Sequence, residues 1–389
     1  MNKTGEIAEP RTQSAKVPLS RLIAYFLRLG TIGFGGPIAL VGYMQRDLVE
    51  ERKWVSTEDY FEGLAFAQLS PGPLAAQLAI YLGWIEGGVL GATLTGVAFV
   101  LPSLLMVLAL AAVYVHYGAL SWIQASFYGI GAAVSAIILR TAWKLVQRTL
   151  GRDRLLWALF AILAITTAWT QKENVWVIIL SGFVAMSMKA PPWKKKLPSN
   201  AVFSMTPLAF ASLDSVSKIF FFFLKAGAFV FGSGLAIVPF LYGGVVGGFH
   251  WLTESQFMDA VAVAMITPGP VVITSGFIGY LVAGPIGACA ATLAVFLPPY
   301  LFVIFGAPFY RRFATNPQVK GFVQGVTAAA VGAIGGAAII LSRRAVVDIP
   351  TVLIALGALV VLLRFKKLPE PLVILGAGVA GLTVKHSWI

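Results

Sequence analysis

The chain has 389 residues, of which 58% are hydrophobic and only 12% charged, with a formal net charge of +13 and a mean hydropathy of +0.84. A soluble domain carries about 25% charged residues and about 45–50% apolar ones, so this surplus of apolar surface requires a bilayer to cover it. That excludes a soluble globular protein. The Lys and Arg residues between apolar runs read as the positive-inside bias and attraction to anionic lipid, not as a nucleic-acid surface.

In chain order, residues 1–18 hold Lys3, Arg11 and Lys16 among polar neighbours and no apolar run before a small-residue cleavage site, so they read as a tail rather than a signal peptide. A first repeat is expected over 19–188. Its first apolar segment, Leu19–Met44, is interrupted by the Gly33–Pro37 cluster, and a polar stretch, Gln45–Asp59, follows. Tyr60–Trp84 is apolar but carries Pro71-Gly72-Pro73 near its middle. Each proline lacks a donor and clashes with the preceding turn, so this segment is predicted as two short helices meeting at a break. Long helices are expected at Gly88–Val115 and Trp122–Leu139, then a basic loop, Arg140–Arg154. Two short runs, Leu155–Thr170 and Val175–Met188, lie near the lower limit of ~17 residues for a span.

Residues 189–215, with Lys194-Lys195-Lys196, read as a cytoplasmic linker, and 216–389 as a second repeat. The second repeat follows the plan of the first: Val216–Gly244, Gln256–Val282, Ile286–Pro308, Val319–Leu341, Ile349–Leu363 and Leu372–Val384. An offset of 197 residues carries Arg28 onto Lys225, Trp54 onto Trp251 and Ser70-Pro71-Gly72-Pro73 onto Thr267-Pro268-Gly269-Pro270. A duplicated hydrophobic unit broken by Gly and Pro at matching points is the sequence pointer to a secondary transporter's binding site. The fold class is therefore an all-α polytopic membrane protein with two homologous helical halves. If the Pro-Gly-Pro segments re-enter, each half has five spans and the halves are inverted, about ten spans plus two re-entrant hairpins. Most basic loops then face the cytoplasm, which favours this arrangement over the alternative of twelve spans.

Non-helical backbone at membrane depth is tolerated only inside protein or along a cavity. Each Pro-Gly-Pro break should leave a helix N-terminus whose amides and dipole favour an anion. Ser70 and Thr267 add a hydroxyl, and Gly72 and Gly269 allow close approach; the bland alternative is a pair of structural kinks. Gly35 and Gly36, with Gly232 and Ser233, read as unwound segments or as tight helix contacts. Arg28 and Lys225 are cations inside apolar helices, marking either a substrate path or side chains that snorkel to the interface. Glu62 and Asp259 match across the repeat; either could carry a coupling proton or pair with the cation of its own half, or simply sit at an interfacial helix start. Gly376–Gly381 fits G-x-G-x-x-G but lies in an apolar run without strand context, so no dinucleotide site is expected. Gly87–Gly91 and Gly332–Gly336 fit small-residue packing. Cys289 reads as a small buried hydrophobe. The three His residues are scattered and no hydrolytic triad or P-loop is present, so neither enzyme activity, metal nor cofactor is expected.

Phe34-Gly35-Gly36-Pro37, Trp54 before an acidic helix start, Gln68-Leu69-Ser70-Pro71-Gly72-Pro73 and their echoes in the second half resemble the chromate transporter family in its long, two-domain form. The resemblance runs from about Leu19 to Leu382. It implies a carrier in the inner (plasma) membrane, driven by the proton motive force, that exports chromate with sulfate as a competing tetrahedral dianion. On that reading the substrate site is built from Arg28, Lys225, the glycine clusters and the two Pro-Gly-Pro breaks, with Glu62 and Asp259 coupling protons. A sulfate or other anion importer of the same fold, and a channel or scaffold without a transport cycle, remain the alternatives. The expected partners are chromate, sulfate and the lipid bilayer, with a homodimer left open. Ser233 and Gly234 replace Gly36 and Pro37 in the second half, so the halves need not contribute equally.

Overall fold

The structure is a computed structural model that describes residues 17–34, 36–118, 120–170, 175–190, 214–229, 234, 237–310, 316–365 and 368–386. Gly35, Gly232 and Ser233 lie outside the described residues, as do most of the N-terminal tail and the linker. Among the described residues every regular element is helical. The first half contains α1 (Leu19–Ile32), α2 (Gly36–Met44), α3 (Thr57–Leu69), α4 (Leu74–Tyr117), α5 (Ser121–Leu150), α6 (Arg154–Thr170) and α7 (Val175–Lys189). The second contains α8 (Ser215–Phe229), α9 (Ile237–Tyr242), α10 (Glu254–Ile266), α11 (Thr274–Gly306), α12 (Pro317–Ala345), α13 (Ile349–Arg364) and α14 (Glu370–His386). Several of these helices are long and apolar enough to cross a bilayer, as a helical membrane transporter requires.

The two halves start and stop their elements with the same local chemistry. Ser56 caps α3 by accepting from the Asp59 amide at 3.0 Å, and Thr253 caps α10 in a reciprocal capping box with Gln256. Each of these two helices ends two residues before a proline. Ser70 (φ −95°, ψ 148°) and Thr267 (φ −84°, ψ 133°) are pushed into extended backbone by the ring that follows.

The chain then folds back on itself twice in each half. Gly63 packs against Tyr81 and Leu78, and Phe66 stacks on Tyr81 with ring centroids 5.8 Å apart. Gly63 and Tyr81 are equally distant in sequence from Gly72, so α3 and the start of α4 form a helical hairpin with its tip at the break. Each arm is about 20 Å long, well short of a hydrocarbon core of about 30 Å. The second reversal is inside α4, at Gly87-Gly88, where Gly88 takes φ 58°. A side chain disfavours that left-handed conformation, and glycine does not. Past it Thr95 donates to the Ala79 carbonyl at 3.2 Å, and Gly91 meets Gly83 backbone to backbone. α11 repeats this turn with Gly284 at φ 63° and Gly287 on Gly279.

The halves interlock. α6 and α7 of the first half pack on α12 of the second, and α13 and α14 of the second pack on α5 of the first. Glycine makes both contacts close: Gly332 and Gly336 of α12 lie against the Phe160 and Ala164 carbonyls, and Gly381 of α14 against that of Ala125. Gly378 and Gly381 of the glycine-rich run 376–381 thus serve helix packing.

Two expectations are corrected. The basic loop expected from Arg140 is helical as far as Leu150, because Ala142, Val146 and Leu150 continue a buried stripe at four-residue intervals. Lys144 and Arg148 point the other way and are exposed. Cys289 is exposed rather than buried, lining an apolar groove between α4 and α11 with Leu101 and Leu297.

Candidate transport site

The break in the first half is closed from within. Gln77, fully buried on α4, donates through Nε2 to Ser70 Oγ at 3.0 Å and to the Pro71 carbonyl at 2.7 Å. Ser70 Oγ donates to the Phe66 carbonyl at 2.9 Å. Gly72 takes φ 142° and abuts Pro299 of the other half. α4 begins at Leu74 with no side-chain cap, so its first-turn amides are the donors this break offers.

The break in the second half is held from without. Ser103 of α4 donates to the Pro268 carbonyl at 2.8 Å, and the Gly269 amide donates to the Gly33 carbonyl at 2.9 Å. Gly269, at φ 97°, lies directly on Ser103. Thr267 is buried, and its hydroxyl donates to the Val263 carbonyl at 2.7 Å. In this conformation, then, both hydroxyls singled out by the sequence satisfy carbonyls one turn back.

The Gly33–Gly36 break of the first half meets Thr267 and Gly269 of the second around a cavity of about 10 Å³, which is about one water. Glu370 and Pro371, at the start of α14, close its wall. Gly33 and Phe34 also line an outer cleft of about 410 Å³ with Arg28, Arg46 and Arg52 on its sides, together with Asp47 and Glu51. Arg46 is paired with both of these carboxylates, so the cleft holds charges of both signs with a small positive excess. This mixed-charge vestibule leads to the point where the two halves' broken segments meet, and Arg28 and Arg52 are the cations it offers to an anion.

The remaining candidates fall in different places. Arg28 is exposed on the cleft wall, while Lys225 is exposed on α8 and lines neither the cleft nor the cavity. Asp259 is buried and accepts from the Tyr114 hydroxyl at 2.6 Å. Its partner therefore comes from α4 of the other half, not from the cation of its own half. Glu62, on α3, acts electrostatically on Tyr310, whose ring packs edge to face on Phe66 at 5.3 Å. Tyr114 and Tyr310 match across the repeat, and of the two it is Tyr114 that is seen hydrogen-bonded to a carboxylate of the other half. Sequence reasoning missed Gln77, Ser103, Tyr114 and Glu370. The repeat gave no signal for Glu370, because past the breaks the offset falls to 196 and pairs it with Asn174. Among the described residues no cluster of three or more His, Cys, Asp or Glu could hold a metal ion.

The profile of the family described as Chromate transporter matches this chain twice, over residues 20–186 and 217–382. The chain is 58% identical over 372 residues to the chromate transport protein of Cupriavidus metallidurans, covering 94% of this chain and 92% of that one. It is 55% identical over 374 residues to the probable chromate transport protein of Synechococcus elongatus, covering 93% and 95%. With the chromate transport protein of Pseudomonas aeruginosa it shares 31% identity over 406 residues, covering 97% and 96%. No solved structure matches it.

Proposed function

This chain belongs to the chromate transporter family and is a transporter rather than an enzyme, and from that premise we propose that it exports chromate across the cytoplasmic membrane, coupled to the proton motive force, with sulfate as a competitor. The observation that carries the reading is the meeting of two broken segments, one from each half, at the inner end of a cleft lined by Arg28 and Arg52. In a repeat transporter such a meeting point is where substrate is expected to sit.

The substrate is bound at the Thr267–Pro270 break beside Gly33 and Gly36, which line the small cavity, and the Ser70–Pro73 break, which does not line it, closes on the substrate from the first half during the cycle. A dianion that accepts hydrogen bonds at every oxygen and donates none suits amides and hydroxyls that only need to be turned toward it. Phosphate, which carries a proton near neutral pH, presents a donor to such a site and binds worse; chloride lacks the tetrahedral acceptors. Arg28 attracts the anion along the cleft, and Lys225 serves the corresponding face of the second half. Glu62 and Asp259 carry the coupling proton, exchanging it against their cross-half tyrosines. The halves are inverted repeats, each with five spans and one re-entrant hairpin; the distribution of basic loops and the fold-back of Gly63 onto Tyr81 support this arrangement.

Flux into proteoliposomes tests the function, with chromate, sulfate and molybdate compared under imposed pH gradients. Chromate flux that follows the gradient and is inhibited by sulfate is expected; no oxyanion flux at any gradient overturns the reading. For the topology, cysteines placed at Gly118 and Gly248 in a Cys289→Ala background should both react from outside. Labelling of either one only from the cytoplasm overturns the inverted arrangement.

A further inference from the structure

Glu370 is the one carboxylate on the wall of the small cavity, where it stands beside Gly33, Thr267 and Gly269. Its counter-ion is Arg140 of α5, whose Nη1 lies 4.0 Å from Glu370 Oε1. The pair joins the two halves, since α5 belongs to the first and α14 to the second. Arg140 is poorly served by this partner. Its side chain is only 13% exposed, its contact with the carboxylate is an ion-pair distance and not a hydrogen bond, and its Nε is buried with no hydrogen-bond partner. A buried guanidinium N–H without an acceptor is costly and calls for an explanation. The planar fork of a guanidinium also matches an oxyanion's edge, which a lysine's point charge does not.

We propose that Arg140 is a binding residue for the transported oxyanion and that Glu370 is the competing internal anion it leaves when the substrate arrives. The proposal rests on the transport reading above and deepens it. It replaces neither break: the amides and hydroxyls there supply neutral donors, and Arg140 supplies a charge 4.0 Å from the carboxylate that lines the cavity, a relation that neither Arg28, out on the cleft, nor Lys225 has. An anion held at Gly33 and Thr267 stands beside Glu370, and two like charges cannot share that space cheaply. Arg140 must then turn its fork from the carboxylate to the oxyanion. Because the two partners sit on different halves, that exchange also loosens one tie between them, which is the kind of differential contact a transport cycle needs.

The two partners should therefore have opposite effects, which a purely structural ion pair does not produce. Equilibrium chromate binding is measured on full-length purified protein, with sulfate, molybdate and chloride as competitors and a thermal melt on every variant. Arg140→Gln is expected to weaken chromate binding by roughly tenfold or more, as loss of a charge-assisted contact does, and Arg140→Lys to recover part of it. Glu370→Gln is expected to tighten binding severalfold, because the competitor is gone. If Arg140→Gln proves too unstable to purify, Glu370→Gln alone decides, with unchanged or weaker binding overturning the proposal. Normal wild-type binding together with unchanged affinity in both single variants overturns this proposal and leaves the transport reading standing. A wild-type protein that binds no oxyanion overturns both.

Discussion

The two Pro-Gly-Pro breaks have nearly the same sequence, yet they are stabilised in different ways. In the first, Gln77 reaches back to Ser70 and Pro71, and Ser70 and Pro71 stay half-buried. In the second, the matching residue is Thr274, which only donates to the Val271 carbonyl three residues back at 2.8 Å. Its break is tied instead to the other half, through Ser103 and Gly33, and Thr267 to Pro270 are all buried. The position matching Ser103 is Pro299, which has no hydroxyl to donate and merely packs on Gly72. A repeat can thus keep its backbone break while its halves specialise: here the second break is a fixed point between the halves, and the first is self-contained and more open.

The largest expected effect tests the fixed point. Gly269→Ala would force a side chain onto Ser103 at φ 97°. Unfavourable backbone costs about 1–3 kcal/mol and overpacking about 1–3 kcal/mol more, so little folded protein should be recovered from the membrane. Gly72→Ala meets the side chain of Gln77 and Pro299 Cβ, both at 2.6 Å, and the long Gln77 side chain can move. It should be milder in a melting comparison; the reverse order breaks the distinction drawn here.

Ser103→Ala comes next. It leaves the Pro268 carbonyl without its donor in a buried place, a loss of about 1–3 kcal/mol, and should lower the melting midpoint. Gln77→Leu removes two hydrogen bonds, but at a break where Ser70 and Pro71 are half open, so water can replace part of them. A smaller shift, about 1 kcal/mol, is expected, with a larger relative loss of chromate flux. Equal destabilisation by the two variants would mean that both breaks are anchored alike.

The smallest effects concern the hydroxyls. Ser70→Ala should weaken chromate binding by roughly fivefold, the equivalent of one hydrogen bond of about 1 kcal/mol. Thr267→Val should change binding less: both hydroxyls are engaged one turn back, but Ser70 is half-buried and Thr267 is buried. Competition binding on purified variants measures both, and equal losses would place the two hydroxyls in equivalent contact with substrate.

Much of this architecture was legible beforehand. Composition required a membrane, the 197-residue offset exposed the repeat, and proline chemistry located both breaks to the residue, because these follow from local sterics and from summed apolar surface. The helix caps at Ser56 and Thr253 are local in the same way. That the chain folds back at Gly72 was not legible in this way, since it shows only in the packing of Gly63 on Tyr81.

What the tertiary structure alone decided is how distant elements meet. Charge density suggested a loop from Arg140, but a buried stripe on α5 exists only because α12 and α14 cover it. Asp259 finds Tyr114 rather than a cation of its own half, and Glu370 reaches the cavity because α14 packs on α5 of the opposite half. Burial and pairing are properties of the assembled surfaces, so a sequence read by local pattern marks the broken segments and leaves open which side chains of the other half will face them.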